Sequence, residues 1–198
     1  MKQFIKILFV LFALSFAQSA WAVTAIPSNS AFTTAITECL NESPVTGDCT
    51  TYGASSGYGS MPNWDVSNVT DMSSAFSYNT SFNADLSSWD TSAVTDMSYM
   101  FEGATSITNV SFSDTSSVTS MERMFRNATS FASVSLPKTG AVTNMFKMFR
   151  GTTSLTSVSL PETGAVTNMD RMFRAATSLT SVSLPETGAV TNMFAMFY

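Results

Sequence analysis

"SLTSVSLPETGAVTNM" runs from Ser154 to Met169 and recurs, letter for letter, from Ser178 to Met193. An enzyme site is a single constellation in which each residue has its own role, so verbatim copying enlarges a surface and a core without building a catalytic centre. Working outward from this pair, the pattern Val-Thr-x-Met-x-x-Met-Phe begins at Val69, Val94, Val118, Val142, Val166 and Val190, spaced by 25 residues and then by 24 four times. Only the first copy departs from it, with Ala75 at the second Met position. A period between 20 and 50 residues marks an array of supersecondary units stacked on one another.

Within one unit, Leu155, Val158 and Leu160 fit the L-x-x-L-x-L strand signature, in which alternate side chains face inward. Pro161, Thr163 and Gly164 turn the chain. Val166, Met169, Met172 and Phe173 then bring it back at spacings that suit a tight helical or 3₁₀ segment. The expected fold class is a leucine-rich-repeat-like solenoid, with one short parallel strand and a helical or 3₁₀ return in each coil of 24–25 residues. Seven apolar side chains cannot offset the entropy of ordering so many residues, so each coil is expected to fold only against its neighbours.

Ahead of the array, Lys2 and Lys6 precede an apolar run from Ile7 to Ala17 and a small-residue site at Ala20-Trp21-Ala22. These are the three regions of a secretory leader over residues 1–22, and the run is too short for an ordinary membrane span. No later stretch is long and apolar enough to cross a membrane. The exported chain would start at Val23. In that compartment Cys39 and Cys49 are read most simply as a disulfide, the alternative being two free buried thiols.

Residues 23–61 read as an N-terminal cap: a short helix with Ser30 as its N-cap and Phe32, Ile36 and Leu40 on one stripe, followed by a Gly- and Ser-rich loop over 50–61. The coils, about six of them, occupy 62–198. The chain stops at Phe197-Tyr198 without a polar closing segment, which reads as a truncated array or one whose last coil docks on something else, end-to-end self-association included.

"NWDVSNVTDMSSAF" (63–76) and "SFNADLSSWDTSAVTDMSYMFEGATS" (81–106) resemble the repeats of the BspA-like leucine-rich-repeat surface proteins in their lipoprotein-associated variant, and the later "TSLTSVSLP" units resemble the same family's more leucine-rich form. The resemblance covers residues 62–198. It implies a cell-surface or secreted protein, in several members an adhesin, with no shared catalytic residues to carry over. The chain departs from the lipoprotein members in having no cysteine at the leader's end.

Composition excludes most catalytic chemistry. There is no histidine, so Ser-His-Asp, Cys-His and histidine-ligated zinc arrangements are ruled out. Fourteen acids against nine bases give a formal charge of −5, which the loss of Lys2 and Lys6 with the leader takes to −7. That balance argues against nucleic acid. No cofactor is expected.

Asp71 and Asp96 share one repeat position and Asp65 and Asp90 another, so stacking brings like carboxylates within about 5 Å. Asp71 and Asp96 are weak Ca²⁺ candidates, and the competing reading is that each caps a local turn. The Met-x-x-Met-Phe methionines suit core packing on aromatic rings better than soft-metal binding. Outward-facing Ser133, Ser135, Ser157, Ser159, Ser181 and Ser183 form a polar array without aromatic anchors.

The basic residues are the more informative feature. Arg123, Lys147 and Arg171 occupy one repeat position and Arg126, Arg150 and Arg174 another. Stacking like charges is unfavourable without compensation, either from an acidic ligand or from internal acids such as Glu122 and Asp170. A third reading lets the arginine stems shield the Met/Phe layer with their heads in water. The expected function is a non-catalytic, secreted or cell-surface recognition and adhesion module for an extracellular protein or glycan, with a self-assembling envelope or matrix component as the alternative.

Overall fold

The computed structural model describes residues 23–198, so the expected leader falls outside the described residues. Helix α1 (Asn29–Glu42) and helix α2 (Thr50–Ser56) precede a 3₁₀ turn (Met61–Asn63). Strands β1 (Asn109–Ser111), β2 (Ser133–Ser135), β3 (Ser157–Ser159) and β4 (Ser181–Ser183) follow at the repeat spacing. No helix among the described residues is long and apolar enough to cross a membrane.

Two expectations for the N-terminal segment need correction. The N-cap of α1 is Ser28 and not Ser30: Ser28 is extended and its hydroxyl accepts from the Ala31 N–H at 3.2 Å, whereas Ser30 already lies inside the helix. The stretch 50–61 is also more than a loop. Cys39 and Cys49 form a disulfide with Cα atoms 5.0 Å apart, which holds the start of α2 beside the end of α1. There the Glu42 carboxylate accepts from the Thr51 and Tyr52 N–H groups at 2.8 and 2.9 Å and caps a helix whose own N-cap side chain makes no such bond. Those two backbone bonds hold the Glu42 carboxyl below its usual range. Gly53 allows the tight exit, because a Cβ there would collide with the Gly59 carbonyl.

Beyond this cap the coils stack in parallel register. Asp71, Asp96, Ser120, Asn144, Asn168 and Asn192 form successive parallel bridges, one per coil. From each, alternate residues donate to the next coil: Met97 to Ser120, Tyr99 to Glu122, Phe101 to Met124 and Gly103 to Arg126, at 2.8–3.1 Å. The intervening Met100, Glu102 and Ala104 donate three residues back. The return is therefore a ladder of turns and not the helix or 3₁₀ segment expected. A helix is interrupted because Tyr99 and Gly103, with their equivalents in the other coils, take positive φ.

The opposite side carries the strands. Among the described residues they occur in four coils, as two parallel pairs, β1 with β2 and β3 with β4. The first two coils contain no strand there, a second departure from one strand per coil. The core lies between the two sides. All seven apolar residues expected inward in the unit from Leu155 to Phe173 are buried, and the six serines of β2, β3 and β4 face solvent. Phe76, Phe101, Phe125, Phe149, Phe173 and Phe197 form one offset column, with ring centroids 5.3–5.7 Å apart and planes within 11° of parallel.

Two threonine columns complete the frame. Thr91, Thr115, Thr139 and Thr163 are fully buried, and each hydroxyl donates to a carbonyl of the next coil, at Asp114, Lys138, Glu162 and Glu186. The last three of those residues return an N–H to the same hydroxyl at 3.2–3.3 Å. An exposed column, Thr95, Thr119, Thr143, Thr167 and Thr191, bonds to the preceding coil through both N–H and hydroxyl.

Helix α1 closes the first coil. Phe32 meets Trp89 edge-on at 5.7 Å, Trp89 stacks on Trp64 at 6.3 Å, and the Asn29 amide oxygen accepts from the Thr70 N–H at 2.9 Å. At the other end Met193, Phe194, Phe197 and Tyr198 are exposed.

Candidate functional site

The six basic residues named from the sequence come together on the turn side as two adjacent columns, each residue half-buried. Arg123, Lys147 and Arg171 sit at positive φ, 53°, 56° and 53°. The neighbouring positive-φ column holds Tyr78, Gly103, Asn127, Gly151 and Ala175, so glycine and asparagine, which tolerate this conformation at little cost, fill three of its five positions. Glycine enters only the second column, and the long cations of the first stand where glycine would be cheapest.

Neighbours account for part of that choice. Arg123 Nε lies 3.5 Å from Glu122, Arg171 pairs with Asp170 at 2.8 Å, and Arg126 pairs with Glu102, which is almost wholly buried. Arg123 stands 5.2 Å from the Tyr99 ring centroid and 5.3 Å from that of Phe146; Lys147 lies 4.3 Å from Phe146, and Arg171 4.9 Å from Phe194. Tyr99 donates to Glu122 at 2.7 Å, and this bond, followed by burial, raises its phenol above the usual tyrosine range.

Sequence reasoning missed Glu102, Tyr99, Phe146 and Phe194. The signal was present in the residue preceding the first basic column, which reads Ser98, Glu122, Phe146, Asp170, Phe194 and supplies each cation with an acid or a ring.

Compensation fails in the middle. Among the described residues Lys147, Arg150 and Arg174 have no acid within ion-pair distance. Burial, then Arg123, Arg150, Arg171 and Arg126, push the Lys147 ammonium below the ordinary lysine range. Burial, then Arg126 and Arg174, lower the Arg150 guanidinium likewise. The Nε atoms of Arg123 and Arg126 and one oxygen of Asp170 are buried without a hydrogen-bond partner among the described residues. A chain of net charge −5 thus concentrates uncompensated positive charge on two adjacent coils.

Asp71 and Asp96 are register partners, as their shared repeat position implies. Each accepts from the N–H two residues on, at 2.8 and 2.7 Å. Ser120, Asn144 and Asn168 occupy the same position and accept the same bond, so its work is turn capping, for which charge is unnecessary. Asp65 and Asp90 cap Ser67 and Ser92 in the same way. No cluster of three or more metal-ligating side chains occurs among the described residues. Cavities of about 470, 350 and 310 Å³ lie at the last coil, beside α2 and under α1, and the basic columns line none of these three.

These features define a class of protein built from stacked 24-residue coils with a disulfide-tied helical cap. A family model described as "Mycoplasma protein of unknown function, DUF285" matches residues 49–157 and again 132–198, so the chain belongs to that family. The overlap of the two matches is what a model placed twice on a periodic sequence produces. No curated protein matches the chain.

Proposed function

We propose that this chain is an exported, non-catalytic, leucine-rich-repeat-like solenoid of the BspA-like type, acting at the cell surface or in its surroundings as a recognition or adhesion module. The observation that carries the reading is the basic stripe, whose centre at Lys147, Arg150 and Arg174 lacks internal compensation on an otherwise acidic chain. The disulfide fits an oxidising compartment, and the stacked coils offer an extended surface in place of a catalytic pocket.

The test is binding of the purified chain to an array of glycans and matrix proteins, beside a variant carrying Lys147→Asn, Arg150→Ser and Arg174→Ser. Saturable binding by the native chain, lost in the variant, is expected. Equal binding by both would move the site to the serine face. Turnover of a glycan or peptide substrate would overturn the non-catalytic reading, and concentration-dependent filaments without an outside ligand would replace adhesion with self-assembly.

A further inference from the structure

Lys147 is the least explained residue on the stripe. It holds a positive φ, has no acid partner among the described residues and faces guanidinium groups of its own and both neighbouring coils. Gly151, four residues on in the same coil, meets the same backbone demand with glycine, although Tyr78 and Ala175 stand at its position in other coils. With the Phe146 ring at 4.3 Å as its compensation, the Lys147 cation is retained against both backbone preference and Coulomb repulsion. The interface where Lys147 and Arg150 meet Arg171 and Arg174 is also the one, among the strand-bearing coils, at which neighbouring strands do not pair, between β2 and β3. Bridging anions would add to the turn ladder, the Phe149–Phe173 stack and the Thr139–Glu162 bonds that already join these two coils.

The surroundings narrow the ligand. Exposed Thr129, Ser130, Thr153, Ser154, Thr177 and Ser178 follow the second basic column within a few residues, in the same coils, and supply short hydroxyls suited to sugar hydroxyls. Phe146 has Arg123 and Lys147 against its ring, which leaves it a poor platform for a nucleic-acid base. Glu122 and Asp170 flank the centre and confine it to a few oxyanions.

We infer that the ligand of this stripe is a linear acidic glycan lying along the stack, its sulfate or carboxylate groups bridging Lys147 and Arg150 of one coil to Arg174 of the next. The inference rests on the recognition reading above and adds the chemical class of what is recognised. Guanidinium groups one coil apart, about 5 Å, suit oxyanions carried on an extended polymer.

The experiment titrates the purified chain with dextran sulfate, hyaluronate, polyphosphate and neutral dextran, following both binding and the thermal midpoint. Dextran sulfate and hyaluronate are expected to bind saturably, to raise the midpoint and to weaken as salt is added, and neutral dextran is expected not to bind. The variant Lys147→Asn/Arg150→Ser/Arg174→Ser should lose about tenfold or more in affinity, while Lys138→Ser, at an exposed cation paired with Asp114, should bind as the native chain does. Keeping Arg126 leaves buried Glu102 paired, and a cooperative thermal transition of the triple variant checks that its fold is kept.

Equal binding by native chain and triple variant would overturn the inference. Preference for polyphosphate over both acidic glycans would overturn the glycan assignment. If none of the polymers binds but the array yields a saturable ligand, the inference falls and the recognition reading stands; silence in both assays removes both.

Discussion

On the turn side every second N–H from Met97 to Gly103 reaches the coil beyond, and the same ladder runs from Met72 through Ala175 without a break. On the strand side three-residue strands pair two by two, the pairing stops between β2 and β3, and the first two coils have no strand at all. Both sides derive from one 24-residue period. The difference teaches that this period secures the turn ladder first: the turn side combines fixed hydrogen bonds with the Met/Phe core, while the strand side exposes serines whose replacement would disturb little.

Substitutions on the two sides should therefore differ in cost. The largest effect is expected at Phe125, fully buried with rings of Phe101, Phe131 and Phe149 around it. Phe125→Ala should cost about 3–5 kcal/mol in urea unfolding, whereas Val134→Ala in β2, only partly buried, should cost about 1 kcal/mol. Comparable losses would erase the distinction between the two sides.

Next comes the buried threonine column, which lies between them. Thr139→Val keeps shape but leaves the Glu162 carbonyl and N–H without their partner, an expected loss of about 1–3 kcal/mol. Thr143→Val in the exposed column leaves groups that water can reach and should cost under about 1 kcal/mol.

Smaller still are the backbone exchanges. Lys147→Gly should gain about 0.5–1 kcal/mol by relieving a positive φ. Gly151→Lys should lose about 1–2 kcal/mol, because φ is 75° there and a Cβ would stand 2.5 Å from Asn127 Oδ1. Both are read from midpoints of denaturant melts, and a loss at Lys147→Gly would show that the cation supports the fold and not a ligand.

The smallest effect is acidic. The Ser87 N–H holds the Asp85 carboxyl below its ordinary value of 3.8, and the Ser92 hydroxyl and then its N–H do the same for Asp90. Carboxyls lowered on folding add stability that is fully present above about pH 3.8 and disappears as pH falls through their folded values. Asp85→Asn with Asp90→Asn should flatten that acid limb by removing this contribution at pH 7, a small one because both sites are exposed, while leaving stability below the folded values unchanged.

Much of this architecture was legible in the sequence, and the illegible parts share a cause. Leu155, Val158 and Leu160 announced an inward face, and the fixed register of Met and Phe announced a core, because burial leaves its mark on residue type. Helix α2 was hidden because its cap comes from Glu42, brought near by the disulfide and not adjacent in sequence. The turn ladder was hidden because Met169, Met172 and Phe173 keep the same spacing in a helix as in successive turns; only the backbone sign at Arg171 separates the two. At the candidate site the six cations could be aligned by repeat position, but which of them lacked partners depended on rings and acids one coil away.

The direction of the intercoil bonds also has a mechanical meaning. They run along the stack, so tension applied at its two ends pulls them apart one interface at a time instead of shearing them together. Such a molecule lengthens in steps of one coil, about 80 Å of extended chain per 24 residues. Among the strand-bearing coils, and without a bridging ligand, the first to open would be the interface between the coils of β2 and β3, where strand pairing is missing.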